Sequence, residues 1–114
     1  MQETLDLALE LNTEEANMYP CQALPGSTLY NLAKENNTTP PPGNYSDYAF
    51  LSYESRPAPT KYSTPAEVIH FRDDAWARYH SNTKYLELVG QRFGEKERHN
   101  VEAMSKVKLR RQLL

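Results

Sequence analysis

Among its 114 residues the sequence holds one cysteine, one tryptophan, one isoleucine and four glycines. Each shortage excludes something. A single cysteine leaves no internal disulfide, suits a reducing compartment, and cannot complete a zinc site. With glycine scarce, no phosphate loop or dinucleotide fingerprint appears, and Gly26-Ser27 lacks the second glycine of a nucleophile elbow. No apolar run approaches ~18 residues, so nothing reads as a membrane span. Gln2-Glu3-Thr4 after Met1 is not the basic opening of a secretory signal. The expectation is a soluble, cytoplasmic chain.

Aliphatic core-formers are also short. Leu, Ile, Val and Phe together make 21 of 114 residues, about 18%, below the ~20% at which packing becomes difficult. Net charge is only −2, so the signature of disorder is half met. Eight tyrosines compensate in part, because aromatic rings bury large areas. Such a composition describes ordered pieces that need a larger body to pack against. Charge is divided unevenly: residues 1–60 carry 2 basic and 8 acidic side chains, residues 61–114 carry 11 and 7.

What is present begins with a helix. From Gln2 to Leu11, Leu5, Ala8 and Leu9 follow helical spacing, while Leu7 and Leu11 widen the apolar face beyond one stripe. That width suits a helix clamped between a sheet and its neighbours. It starts at residue 1 with no capping residue before it, as though the chain had been cut there. Asn12-Thr13 ends it. Glu15–Cys21 is then the expected strand, with Ala16 and Met18 alternating with Asn17 and Tyr19, and Pro20 late enough to be tolerated. Pro25-Gly26 marks a tight turn, and Ser27 and Thr28 offer hydroxyls to the free N–H groups of a helix from Leu29 to Glu35. A strand-to-helix junction is where α/β proteins place ligands, though many such turns are plain connections.

Residues 36–44, with three consecutive prolines, must be loop. Tyr45 to Thr60 is aromatic and proline-punctuated, without a clean period, and reads as an extended segment laid over a surface. A polyproline ligand is disfavoured because no PxxP spacing repeats. Thr64-Pro65-Ala66-Glu67 forms a capping box with proline at the first helical position. The helix it opens runs to about Tyr79 and buries Val68, Phe71, Ala75 and Tyr79 with Trp76 alongside. A second helix starts at Ser81-Asn82, carries Tyr85, Leu86, Leu88, Val89 and Phe93, and stops at Gly94. A third, from about Glu95, carries Val101, Met104 and Val107 and ends basic at Lys106, Lys108, Arg110 and Arg111.

Other chemistry is thinly represented. Glu67-x-x-His70 has the ligand spacing of a di-iron bundle, but such a site needs two of these pairs and two further carboxylates. His70, His80 and His99 share no ligand spacing. The basic run could neutralise a few phosphates, yet no nucleic-acid motif accompanies it and the whole chain is acidic.

The order LALELN, YPCQALPGSTLY, a proline-rich loop, YSDYAFLSYES with PTKY, AEVIHFRDDAW, YLELVGQRFG and KLRRQLL closely resembles the C-terminal part of cobalamin-binding radical SAM proteins. The resemblance covers essentially all of the chain. It implies a parent with an N-terminal cobalamin-binding domain and a partial (β/α) barrel holding a 4Fe-4S cluster and S-adenosylmethionine. Gln2–Leu11 would be a late barrel helix, Glu15–Cys21 the last barrel strand, and Leu29–Glu35 the helix after it. The expected fold is mostly α with one α/β step: the helix-strand-helix unit at 1–36, a proline- and tyrosine-rich linker at 37–63, and a three-helix extension at 64–114. Tyr19, Cys21, Gln22 and Ala23 would lie near S-adenosylmethionine, with Pro25 and Gly26 shaping the turn and Tyr45–Tyr53 closing the substrate side. The family's CxxxCxxC motif and any cobalamin-binding segment are absent, and one thiolate cannot hold the cluster. Alone, the chain is expected to hold no cofactor and to be inactive. Its expected partner is the rest of the barrel, in the same parent chain or a split upstream half; neither a membrane nor nucleic acid is expected. The competing reading is a stand-alone helical protein-interaction module.

Overall fold

The computed structural model describes residues 1–38 and 44–114. Thr39 to Gly43, part of the expected loop, lie outside the described residues. The described chain is helical: α1 (Gln2–Leu11), α2 (Thr28–Glu35), a short 3-10 helix at Tyr45–Tyr48, α3 (Pro65–His80), α4 (Thr83–Phe93) and α5 (Glu95–Ser105). No helix among them is long and apolar enough to cross a membrane.

The expected strand at Glu15–Cys21 is not formed, and among the described residues there is no strand and no barrel. The reason is a want of donors. Ala58 N–H donates to Cys21 O at 2.8 Å, which is where a ladder could begin. The donors that would continue it lie two residues to either side, and both are engaged elsewhere. Arg56 N–H goes to Asp47 O at 2.8 Å and Thr60 N–H to Ser63 O at 3.0 Å. A strand without a partner edge has no ladder to join. The segment nevertheless keeps a strand's period: Ala16, Met18 and Pro20 are half-buried, and Asn17, Tyr19 and Cys21 are exposed.

Contacts gather into two units, residues 1–18 with 73–108 and residues 19–72 with 109–114, so that α3 gives its second half to one and its first half to the other. In the first unit α4 packs against α5, and Leu5, Ala75, Tyr79, Tyr85 and Val89 are buried. Rings do much of the filling. Tyr79 and Tyr85 lie 4.8 Å apart, and His80 stacks on Trp76 at 4.3 Å. Their polar ends find partners on the chain after α1: Tyr79 donates to Thr13 O at 2.7 Å and Tyr85 to Glu14 O at 3.1 Å. Burial first, then the phenol of Tyr79 and the carboxylates of Glu15 and Glu97, raises the pKa of Tyr85 and keeps that donor protonated. Asn12, in the left-handed region at φ 47°, ends α1, and its amide reaches Lys84 O at 3.3 Å.

The third helix of the tail is shorter than expected. It ends at Ser105, so Lys108, Arg110 and Arg111 lie beyond it and do not cap its dipole. Met104 and Val107, expected on its apolar face, are exposed, as is Phe93 of α4. Between α4 and α5 the chain turns on Gly94, at φ 94° and ψ 164°, a region that side chains with a Cβ avoid. In the second unit α3 starts as its capping box requires. Thr64 N–H and Oγ1 both donate to Glu67 Oε2, at 2.7 and 2.9 Å, and Glu67 N–H returns to Thr64 Oγ1 at 3.2 Å.

Replacing Gly94 with Ala is expected to loosen the α4–α5 junction by about 1–3 kcal/mol, read as faster amide exchange in the two helices; unaltered exchange would contradict a strained turn. The pH behaviour of the α3 start also has a defined sign. The backbone N–H of Thr64 first, and its hydroxyl second, hold the Glu67 carboxyl below the ordinary glutamate range. The cap is therefore complete above that range and is lost as pH falls through the depressed value. Thr64→Ala should move the Glu67 titration upward, toward the ordinary value, in a carbon-detected NMR titration. A midpoint that does not move would show that the hydroxyl contributes nothing.

Candidate functional site

The turn expected to carry the site lies wholly within the second unit. Leu24 N–H closes on Gln22 O at 3.0 Å and Ser27 N–H on Leu24 O at 3.1 Å, wrapping the chain through Pro25 and Gly26. Gly26 sits at φ 89° with open space where a Cβ would be, so it is required by conformation and not by crowding. Ser27 is the N-cap of α2. Its Oγ accepts from Tyr30 N–H at 3.1 Å and donates to Leu24 O at 2.8 Å, joining the turn to the helix.

The six expected site residues separate by exposure. Tyr19, Cys21, Pro25 and Gly26 face solvent, Gln22 is half-buried, and Ala23 is buried. Tyr19 meets the edge of Phe50 at 4.8 Å, and Arg72 sits 5.1 Å from the centre of the same ring. The Gln22 amide donates toward Asp47 O at 3.4 Å and Ser55 Oγ at 3.3 Å. The turn is thus in contact with the aromatic 45–56 segment, of which Tyr45–Tyr53 was expected to close the substrate side.

No family model matches this chain, and neither a curated protein nor a solved structure does.

Asp47, Ser55, Arg72 and Arg111 were not among the expected site residues, yet they are buried polar groups around that contact. Asp47 is 2% exposed in the middle of the 3-10 helix, with Arg56 Nε 3.4 Å from its carboxylate. That Nε is shielded from water and has no hydrogen-bond partner; its compensation is the charge of Asp47 at ion-pair distance. The phenol of Tyr48 is held above its ordinary pKa by partial burial, then by Tyr30 and Asp47. The sequence signal for this cluster was an acid embedded among aromatics in Tyr45-Ser46-Asp47-Tyr48, followed by Arg56.

The remaining candidates have plain roles. Glu67 is spent on the α3 cap, and His70 is exposed. No group of three or more metal-ligating side chains gathers among the described residues, and Cys21 is a free, exposed thiol. The basic run is divided: Lys106 pairs with Glu102 at 3.0 Å, Arg110 lies over the Tyr53 ring, and Arg111 is buried. Glu102 is held below its ordinary range, chiefly by Lys106.

Ser27→Ala should weaken the start of α2 by about 1 kcal/mol, seen as roughly five-fold faster exchange of the Tyr30 amide. Exchange at wild-type rate would mean that the hydroxyl does not hold the turn.

Proposed function

We propose that this chain is the C-terminal portion of a cobalamin-dependent radical S-adenosylmethionine enzyme and acts only as part of it. The observation that carries the reading is the segment 15–21. It has a strand's alternation of exposure but no ladder, and in the sequence it follows one helix and precedes another that each leave two leucines exposed. Leu7 and Leu11 of α1 are 54% and 64% exposed, and Leu29 and Leu32 of α2 are 39% and 49% exposed. In chain order, helix, extended segment and helix, each with unfilled apolar surface, are the succession that one step of a (β/α) barrel would have.

In that setting the neighbouring strands would supply the missing ladder. Tyr19, Cys21, Gln22, Ala23, Pro25 and Gly26, at the carboxyl end of the segment, would then lie beside S-adenosylmethionine. The fit to the cofactors is unequal. One thiol does not fit a 4Fe-4S cluster, so the cluster cysteines and the cobalamin segment belong to the remainder of the parent. What these residues can supply is position: a turn fixed by Gly26 and Ser27, an amide held at Gln22, and an aromatic edge at Tyr19.

The α4–α5 hairpin, with Tyr85 and Val89 buried, favours a second reading as a helical interaction module. Solution behaviour separates the two. On the first reading the chain alone melts broadly and retains neither iron nor S-adenosylmethionine. Expressed with an upstream half bearing the three cluster cysteines and a cobalamin segment, it co-purifies and reductive cleavage of S-adenosylmethionine appears. A sharp cooperative transition in the monomer, with no co-purification and no cleavage, would overturn the first reading in favour of the second.

A further inference from the structure

We propose that residues 109–114 form a clasp that fixes the 45–56 segment and, through it, the side chain of Gln22. Left to itself the 45–56 segment has few means of staying in place. Three of its backbone bonds are short-range turns, Ala49 N–H to Ser46 O, Ser52 N–H to Ala49 O and Ser55 N–H to Ser52 O, and a fourth, Arg56 N–H to Asp47 O, closes the segment on itself; such bonds shape a loop without anchoring it. The anchors come from far along the chain. Gln112 N–H donates to Tyr53 O at 2.9 Å, and Arg111 Nη1 donates to Ser52 O at 2.7 Å. Arg56 Nη2 returns to Gln112 Oε1 at 3.4 Å, and the Arg110 guanidinium lies 6.0 Å from the Tyr53 ring.

Arg111 distinguishes a clasp from a passing tail. Arg111 is only 7% exposed, and a buried guanidinium is costly unless its donors find acceptors, of which Ser52 O supplies one. From there the link runs to the turn. Asp47 O accepts from Arg56 N–H and from the Gln22 amide, and Ser55 Oγ accepts from the same amide. Arg111 and Gln112 are therefore positioning residues: they touch no ligand but hold the segment that holds Gln22. The clasp rests on contacts within this chain, and only its bearing on a bound ligand rests on the radical-enzyme reading.

Amide hydrogen exchange and the side-chain NH2 resonances of Gln22, followed in the whole chain at low temperature, test it without any cofactor. In the unaltered chain the Ser55 and Arg56 amides should be protected. Both Arg111→Met and a chain ending at Lys108 should speed their exchange by at least about ten-fold and move the Gln22 pair toward its solvent position. Lys108→Met should change neither, and α4 and α5 should exchange as before. Unprotected Ser55 and Arg56 amides in the unaltered chain, no acceleration in either variant, or equal acceleration in α4 and α5 would overturn the clasp.

Discussion

A phenol carried into a core must find an acceptor in the protein. The chain after α1 meets that demand for two tyrosines. The phenols of Tyr79 and Tyr85 reach Thr13 O and Glu14 O, and each phenol is satisfied by that bond. Two needs meet: a buried hydroxyl that lacks an acceptor and backbone leaving a helix that lacks a donor. The placement of α1 within its unit follows, because Asn12 and Glu14 also reach Lys84 O and Arg92.

The same economy explains how a chain so poor in aliphatic residues has an interior at all. Tyrosine, tryptophan and histidine rings occupy the space that leucines fill elsewhere, and the leucines are left outside. Of α1's five apolar residues only Leu5 is buried, and in α2 it is Ala33. An exposed leucine alone means little, since folded surfaces are largely apolar. Here they come in pairs, on the helix before and the helix after the extended segment 15–21, and the proposed reading rests on that pairing.

Local chemistry was legible in the sequence, and long-range chemistry was not. Thr64-Pro65-Ala66-Glu67, Ser27, Asn82 and Gly94 set the starts of α2 to α5 and the end of α4 through bonds spanning two to four residues, and those boundaries fall within a residue or two of expectation. Glu15–Cys21 reads as a strand because alternation is a local property. Whether a strand exists depends on a second edge, and Arg56 and Thr60 had already committed their N–H groups. The basic tail misled for a similar reason. Lys106, Lys108, Arg110 and Arg111 look alike in sequence, and nothing local reveals that Arg111 is enclosed by a segment some sixty residues earlier. Of the six expected site residues, Gln22 alone is tied by its side chain to the hidden polar cluster, whose members Asp47, Ser55 and Arg111 carry no motif.

That cluster also shows what buried charge is good for in a loop. A charge removed from water contributes little net stability, since its attraction to a partner is offset by its desolvation. Asp47, enclosed beside a half-exposed Arg56, and Arg111 on Ser52 O are poor choices if stability were the only requirement. Apolar contacts, however, accept many placements at nearly equal energy, and the 45–56 segment offers several rings that could slide. A buried guanidinium has few positions in which its donors are met, and every slip of the segment leaves one unpaired. The penalty for misplacement, larger than the reward for correct placement, selects one register. A segment that presents Asp47 O and Ser55 Oγ to the Gln22 amide draws that discrimination from its buried charges, and little added stability.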